Sequence, residues 1–143
     1  MQYKRNHIIP LFEGFCRKNQ IDGKEIEIDI SGSPVTLKVA ANEDTKSKGF
    51  MNSDEPRGDN GILFVYEIPD ILRFWMKNVK FPLDIIFFDE NKEYVSHTTM
   101  KPYDGEKDNE LEIYKSEKPA MYAVELPAGW CNSNLKDNCK LNF

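Results

Sequence analysis

Two stretches of strict alternation near the start of this chain restrict its fold more than any other feature. Ile26, Ile28 and Ile30 alternate with Glu25, Glu27 and Asp29, and Val35, Leu37 and Val39 alternate with Thr36 and Lys38. Successive side chains of a strand point to opposite faces, so a period of two makes one apolar and one polar face. Ser31-Gly32-Ser33-Pro34 between the runs is a turn signal, and together they predict a β-hairpin.

The remainder reads the same way. Asn42 precedes Glu43 and Asp44, with Lys46 and Lys48 following towards Gly49, the order of cap, acidic first turn and basic last turn that predicts one short helix. Residues 52–60 read as a loop. Strands are expected over 62–66, 72–76 and 84–89, then 94–99 after a tight turn at Glu90-Asn91-Lys92-Glu93, and finally over 120–126 and 135–143. Residues 104–112 read as an acidic surface loop.

Many short strands and a single helix point to a mainly β fold, a compact antiparallel barrel-like or sandwich-like domain, because closure removes the exposed edges that short strands leave. The length of 143 residues suits one domain. Residues 21–143 are taken as that domain. Residues 1–20 lack a clean period and are read as an N-terminal extension, with Ile8, Ile9, Leu11, Phe12 and Phe15 as an apolar stretch for docking onto a partner.

Several function classes recede on composition. Asp and Glu number 24 against 19 Lys and Arg, a net charge of −5, which disfavours the clustered basic surface that nucleic-acid binding requires. The start of the chain has no secretory apolar core, and no span reaches the roughly 20 apolar residues of a membrane helix. The chain is therefore expected to stay in the cytoplasm, or in a particle assembled there. Cys16, Cys131 and Cys139 include no C-x-x-C pair, so free thiols are expected, although Cys131 and Cys139 could meet across a terminal hairpin. His7 and His97 form no metal-binding spacing, and no phosphate loop, nucleophile elbow or dinucleotide fingerprint occurs. Neither a cofactor nor a metal is implied. A nucleophile pair of Cys16 or Cys131 with His97 remains conceivable, since sequence distance does not forbid it.

One run carries more identity than the rest. Trp75-Met76-Lys77-Asn78 is followed by Pro82-Leu83-Asp84-Ile85-Ile86-Phe87, preceded by Lys48-Gly49-Phe50-Met51 and Gly61-Ile62-Leu63-Phe64, and succeeded by Val124-Glu125-Leu126 with Ala128-Gly129. In this order the residues resemble the domain-of-unknown-function 192 family, over residues 26–143. The resemblance implies a small β-rich single domain and brings no assigned activity. It is not complete. The family usually has arginines around its Gly-Leu-Met element, whereas Lys46 and Ser53 flank Gly49-Phe50-Met51 here, and lysine cannot make the two-pronged contact of a guanidinium. Family members commonly carry an export signal as well, and the segment 1–20 in its place suggests a specialised member.

Trp75, Lys77, Asn78 and Asp84 are the candidate binding residues. Trp75 reads either as a core anchor or as a platform on which a ligand stacks. Lys77 could offer its charge to an anionic ligand, or lay its stem along the indole. Asn78 and Asp84 flank the connector 79–83 and are best suited to holding loop amides, with Asp84 alternatively a general base if burial raises its pKa. The leading expectation is a non-catalytic structural or assembly protein that meets protein partners or further copies of itself through residues 1–20. An accessory component of a virus particle is one setting, suggested by the abundance of Lys and Asn. The alternatives are a small-ligand or peptide-binding module with a cleft around Trp75, and a hydrolase-like enzyme using Asp84 and Lys77.

Overall fold

A computed structural model gives the structure and describes residues 20–143. The docking candidates Ile8, Ile9, Leu11, Phe12 and Phe15 lie outside the described residues. The elements are β1 (Glu25–Ile30), β2 (Ser33–Ala40), α1 (Glu43–Lys48), β3 (Asn60–Asp70), β4 (Arg73–Phe74), β5 (Leu83–Phe88), β6 (Tyr94–Met100), a 3-10 turn (Asp108–Glu110), β7 (Tyr114–Lys115), β8 (Ala120–Pro127), α2 (Trp130–Asn134) and β9 (Leu141–Asn142).

The predicted hairpin is present, with Ile26 opposite Leu37 and Ile28 opposite Val35. Its two-residue turn places Ser31 at φ 48° and Gly32 at φ 94°, the pair of positive angles that matches the twist of the strands, and Asp29 Oδ2 accepts from the Gly32 N–H at 2.7 Å. Helix α1 also lies where expected. Asp22 anchors its start by accepting from the Ala41 N–H at 2.7 Å, the Asn42 N–H at 3.1 Å and the Thr45 hydroxyl at 2.7 Å, a negative charge where the helix presents unpaired donors.

A seven-stranded sheet runs in the order β6-β5-β8-β3-β2-β1-β9, and β4 with β7 forms a small second sheet. The large sheet curls until its ends meet. β9 pairs with β1, and the bridge Glu93–Lys140 joins that segment to the start of β6. The fold is mainly β and barrel-like, as expected.

Its details differ in three ways. First, β2 and β3 are parallel, with Thr36 opposite Asn60 and Ala40 opposite Phe64, among otherwise antiparallel pairs. Parallel neighbours need a long crossover, and residues 41–59 with α1 supply it. Second, the described residues contain two short α-helices rather than one, and the strand expected over 135–143 shrinks to Leu141–Asn142, because α2 and a turn with Asn138 at φ 57° occupy most of the segment. Third, the strand expected over 72–76 is only Arg73–Phe74.

Every residue of β5 is buried, because apolar side chains pack against both faces of the central strands. Inside the curl, Leu37, Leu63, Ile86, Phe88, Val124 and Leu126 form one cluster, which Trp130, Cys139 and Leu141 complete. On the other face Ile62, Phe64, Ile85, Phe87 and Ala123 form a second cluster, covered by Leu72, Phe74, Met76 and Val79. Cys131 and Cys139 are both free and buried. No helix among the described residues is long and apolar enough to cross a membrane.

Candidate functional site

The four residues singled out in the sequence do not converge. Asp84 is 2% exposed on β5, where Oδ1 accepts from the Thr99 hydroxyl at 2.7 Å and Oδ2 accepts from the N–H groups of Gly129 and Cys131, each at 3.0 Å. The carboxylate therefore ties β5 to β6 and to the start of α2, rather than to the connector 79–83 beside it. Asn78 adopts φ 59°, and its backbone carbonyl rather than its side chain accepts from the Asn52 N–H at 3.0 Å. Lys77 reaches Asp108 at 2.9 Å, and its Nζ lies 5.6 Å from the centre of the Trp75 ring. That pair is largely solvated and contributes well under about 1 kcal/mol.

Cys131 and His97 do not form a Cys–His pair, and Cys16, the other candidate, lies outside the described residues. His97 Nδ1 hydrogen-bonds the Tyr94 hydroxyl at 2.6 Å on the outside of β6, while Cys131 lies in the inner cluster. Burial first, and then the charge of Asp84, raises the Cys131 thiol pKa and disfavours the thiolate.

Trp75 leads elsewhere. It is half-buried and lines an open pocket of about 470 Å³ between the end of α1 and β4. Phe50, Met51, Phe74 and Trp75 supply apolar walls, and Lys46, Lys48 and Arg73 also line the pocket. The aromatic side chains brace one another. Phe74 meets Phe64 edge to face at 4.9 Å, and Phe50 meets Phe81 at 6.0 Å. Gly49 brings the chain down onto the floor. At φ 47° it has a conformation that side chains resist, and a Cβ there would stand 3.4 Å from Phe64 Cζ and 3.8 Å from Glu125 Oε1.

Glu125 is the unexpected member. On β8 it lies between Ile62 of β3 and Ile85 of β5, so alternation aims it at the outer apolar cluster while Val124 and Leu126 face the inner one. It is 5% exposed, and burial pushes its carboxyl up to about 8. No described residue donates a hydrogen bond to it. The described residues leave no sealed side-chain nitrogen or oxygen unpartnered, so this carboxyl opens onto the pocket. Tyr66 shares the pocket, and its phenol pKa is raised by burial first, then by the charges of Glu125 and Glu43. Lys46 Nζ lies 4.1 Å from the Tyr66 ring centre and 3.5 Å from Glu43 Oε1.

Chemically, this is a recess with an apolar body in which the Glu125 carboxyl and the Tyr66 phenol are buried, and the Lys46 side chain, 9% exposed, stands beside them. Among the described residues no three His, Cys, Asp or Glu side chains are grouped to hold a metal ion. Glu125 had a signal in the sequence. It is the sole acid in the run from Ala120 to Leu126, at a position where the alternation of a strand demands an apolar side chain.

The profile of the family DUF192, described as "Uncharacterized ACR", matches residues 25–143. No curated protein sequence matches the chain at a significant level. Among solved structures, a candidate transcription regulator from Sinorhizobium meliloti 1021 superimposes with a TM-score of 0.74 at 20% identity, over 85% of this chain and 95% of that one. A protein of unknown function from Novosphingobium aromaticivorans DSM 12444 does so with a TM-score of 0.72 at 22% identity, over 83% of this chain and 85% of that one. At such identities the likeness is one of fold.

Proposed function

The chain belongs to the domain-of-unknown-function 192 family, and since that membership brings no activity, we propose from the site itself that the protein is a small-ligand-binding module whose ligand lies in the pocket beside Trp75. The observation that carries this reading is the Glu125 carboxyl, buried at the base of an aromatic recess with no donor among the described residues. A buried acid that holds no backbone and no neighbouring side chain costs stability, and strand alternation would have placed a leucine or valine there more cheaply. A ligand group that meets the carboxyl offsets that cost only when bound. Concave sites of this size, mostly apolar with few polar groups, are the usual form of small-molecule sites.

The other expectations find less support. Asp84 accepts hydrogen bonds at both oxygens and Lys77 is paired with Asp108, so the two groups of the hydrolase-like reading are engaged apart from each other. The assembly reading rests on residues 8–15, outside the described part of the chain.

A fragment panel of small aromatic and aliphatic compounds, followed by two-dimensional NMR, tests the proposal. Shift changes are expected to cluster at residues 49–51, 66, 73–75 and 125. Changes confined to the loop at 104–112 or to the outside of β6 would overturn it, and so would a panel that shifts nothing.

A further inference from the structure

Resting on that ligand-binding reading, we infer that the ligand is an amine: an apolar or aromatic body that lies against Phe74 and Trp75 and carries an ammonium group to Glu125.

The base of the pocket decides the sign. Glu125 is buried against the pocket, and among the described residues none donates a hydrogen bond to it. A ligand ammonium brings three donors and the opposite charge, and meets the carboxylate where little water competes. The aromatic walls agree with this choice, because ring faces attract cations, most strongly when the cation has shed its water. The protein's own cations stand differently. Lys48 and Arg73 are exposed, where solvent screens them. Lys46 is drawn to Glu43 at 3.5 Å and to the face of Tyr66. A ligand carboxylate is repelled by Glu125 once that group ionises, so it cannot share the gain of an amine as pH approaches 8. A ligand alcohol could take a hydrogen bond from the protonated acid, and the experiment separates that case.

The proton balance makes the inference specific. With its pKa raised to about 8, Glu125 holds its proton through neutral pH. An aliphatic amine in water holds its own to about pH 10. Pairing therefore joins an ammonium ion to a carboxyl that must ionise, and one proton leaves to solvent for each ligand bound. The titratable and charged groups that face Glu125 are Tyr66 on β3, Glu43, Lys46 and Lys48 on α1, and Arg73 on β4. Glu125→Gln decides whether Glu125 or one of these groups carries the linkage, because that variant removes the Glu125 proton alone.

Three probes of one shape test it with the full chain: 2-phenylethylamine, 2-phenylethanol and 3-phenylpropionate. The amine should bind at least tenfold more tightly than the other two at pH 8. Its affinity should rise about tenfold per pH unit from pH 6 towards 8. Calorimetry in two buffers of different ionisation heat should show close to one proton released at pH 6.5. Glu125→Gln should abolish both the pH dependence and the proton release. Equal binding of the alcohol in the same pocket, tighter binding of the propionate, or amine binding without proton release would overturn the amine inference and leave the binding module standing. Failure of all three probes to shift any pocket resonance would count against both. Should Glu125→Gln not fold, proton release by the unaltered protein still decides the matter.

Discussion

Holding Glu125 between Ile62 and Ile85 costs free energy that depends on pH, because burial penalises only its charged form. The sign follows from proton counting. Between the ordinary value of 4.5 and the folded value of about 8, the folded protein holds a proton that the unfolded chain has lost. Stability from this group is thus complete below pH 4.5, declines as pH rises, and levels off above pH 8, with a slope of at most about 1.4 kcal/mol per unit. Glu125→Gln, neutral throughout, should lack this decline. Urea midpoints of both proteins at pH 5, 6.5 and 8 check it, and parallel curves would show that Glu125 reaches water more freely than its burial implies. Asp84 is held differently, because its two oxygens are already satisfied by Thr99, Gly129 and Cys131. Asp84→Ala strands two backbone donors and should cost about 3 kcal/mol in equilibrium unfolding. A loss below about 1 kcal/mol would mean that α2 repositions itself. Both acids sit in apolar strands. Asp84 could be noticed in the sequence because a loop and a proline precede it, whereas Glu125 looked like part of a family pattern. Which acid is satisfied by the protein depends on chain segments 45 and more residues distant.

At the scale of elements, local order was legible and partnership was not. The hairpin of β1 and β2 and the helix α1 carry their own signals in alternation, turn residues and capping. Helix α2 has five residues and is held by the hydrogen bonds that the N–H groups at its start donate to Asp84, a tertiary cause that no propensity announces. The parallel pairing of β2 with β3 had a hint, since a helix between two strands is how parallel neighbours are joined. Gly61 shows how close β3 and its other neighbour, β8, come. A Cβ there would stand within 2.0 Å of the Glu125 carbonyl oxygen on β8, so β3 and β8 meet at a distance that only glycine permits. Gly61→Ala is expected to cost about 3 kcal/mol, and to do so by pushing the strand that carries Glu125 away from β3. Thermal unfolding measures the first part. Resonance shifts at Ile62 and Glu125 measure the second, and an alanine variant as stable as the parent protein would refute the close approach.

Across the whole molecule, two apolar clusters on opposite faces of the same central strands divide the work. The inner one depends on closure of the barrel, in which the last residues act as a staple. The Lys140 carbonyl accepts from the Ser31 N–H at 3.1 Å, the Leu141 N–H donates to the Lys92 carbonyl at 2.9 Å, and the Tyr94 N–H donates to the Cys139 carbonyl at 3.1 Å. Closure was expected from the sequence on the general ground that short strands hide their edges. The staple itself was not visible, because a strand of two residues has no period to read. The outer cluster carries the pocket, through Phe64, Phe74 and Val79. Damage to the staple should therefore lower stability without reshaping the pocket. Leu141→Ala removes a side chain that is 1% exposed, and should cost about 3 kcal/mol in urea unfolding. Hydrogen exchange should quicken at Ser31, Tyr94 and Leu141, whose amides depend on the staple, more than at the β5 and β8 amides between the clusters. Resonances of Gly49, Tyr66 and Trp75 should stay in place. If they move as far as those of β1 and β9, the two faces form one cooperative packing unit, and the pocket is coupled to barrel closure rather than carried on its outer wall.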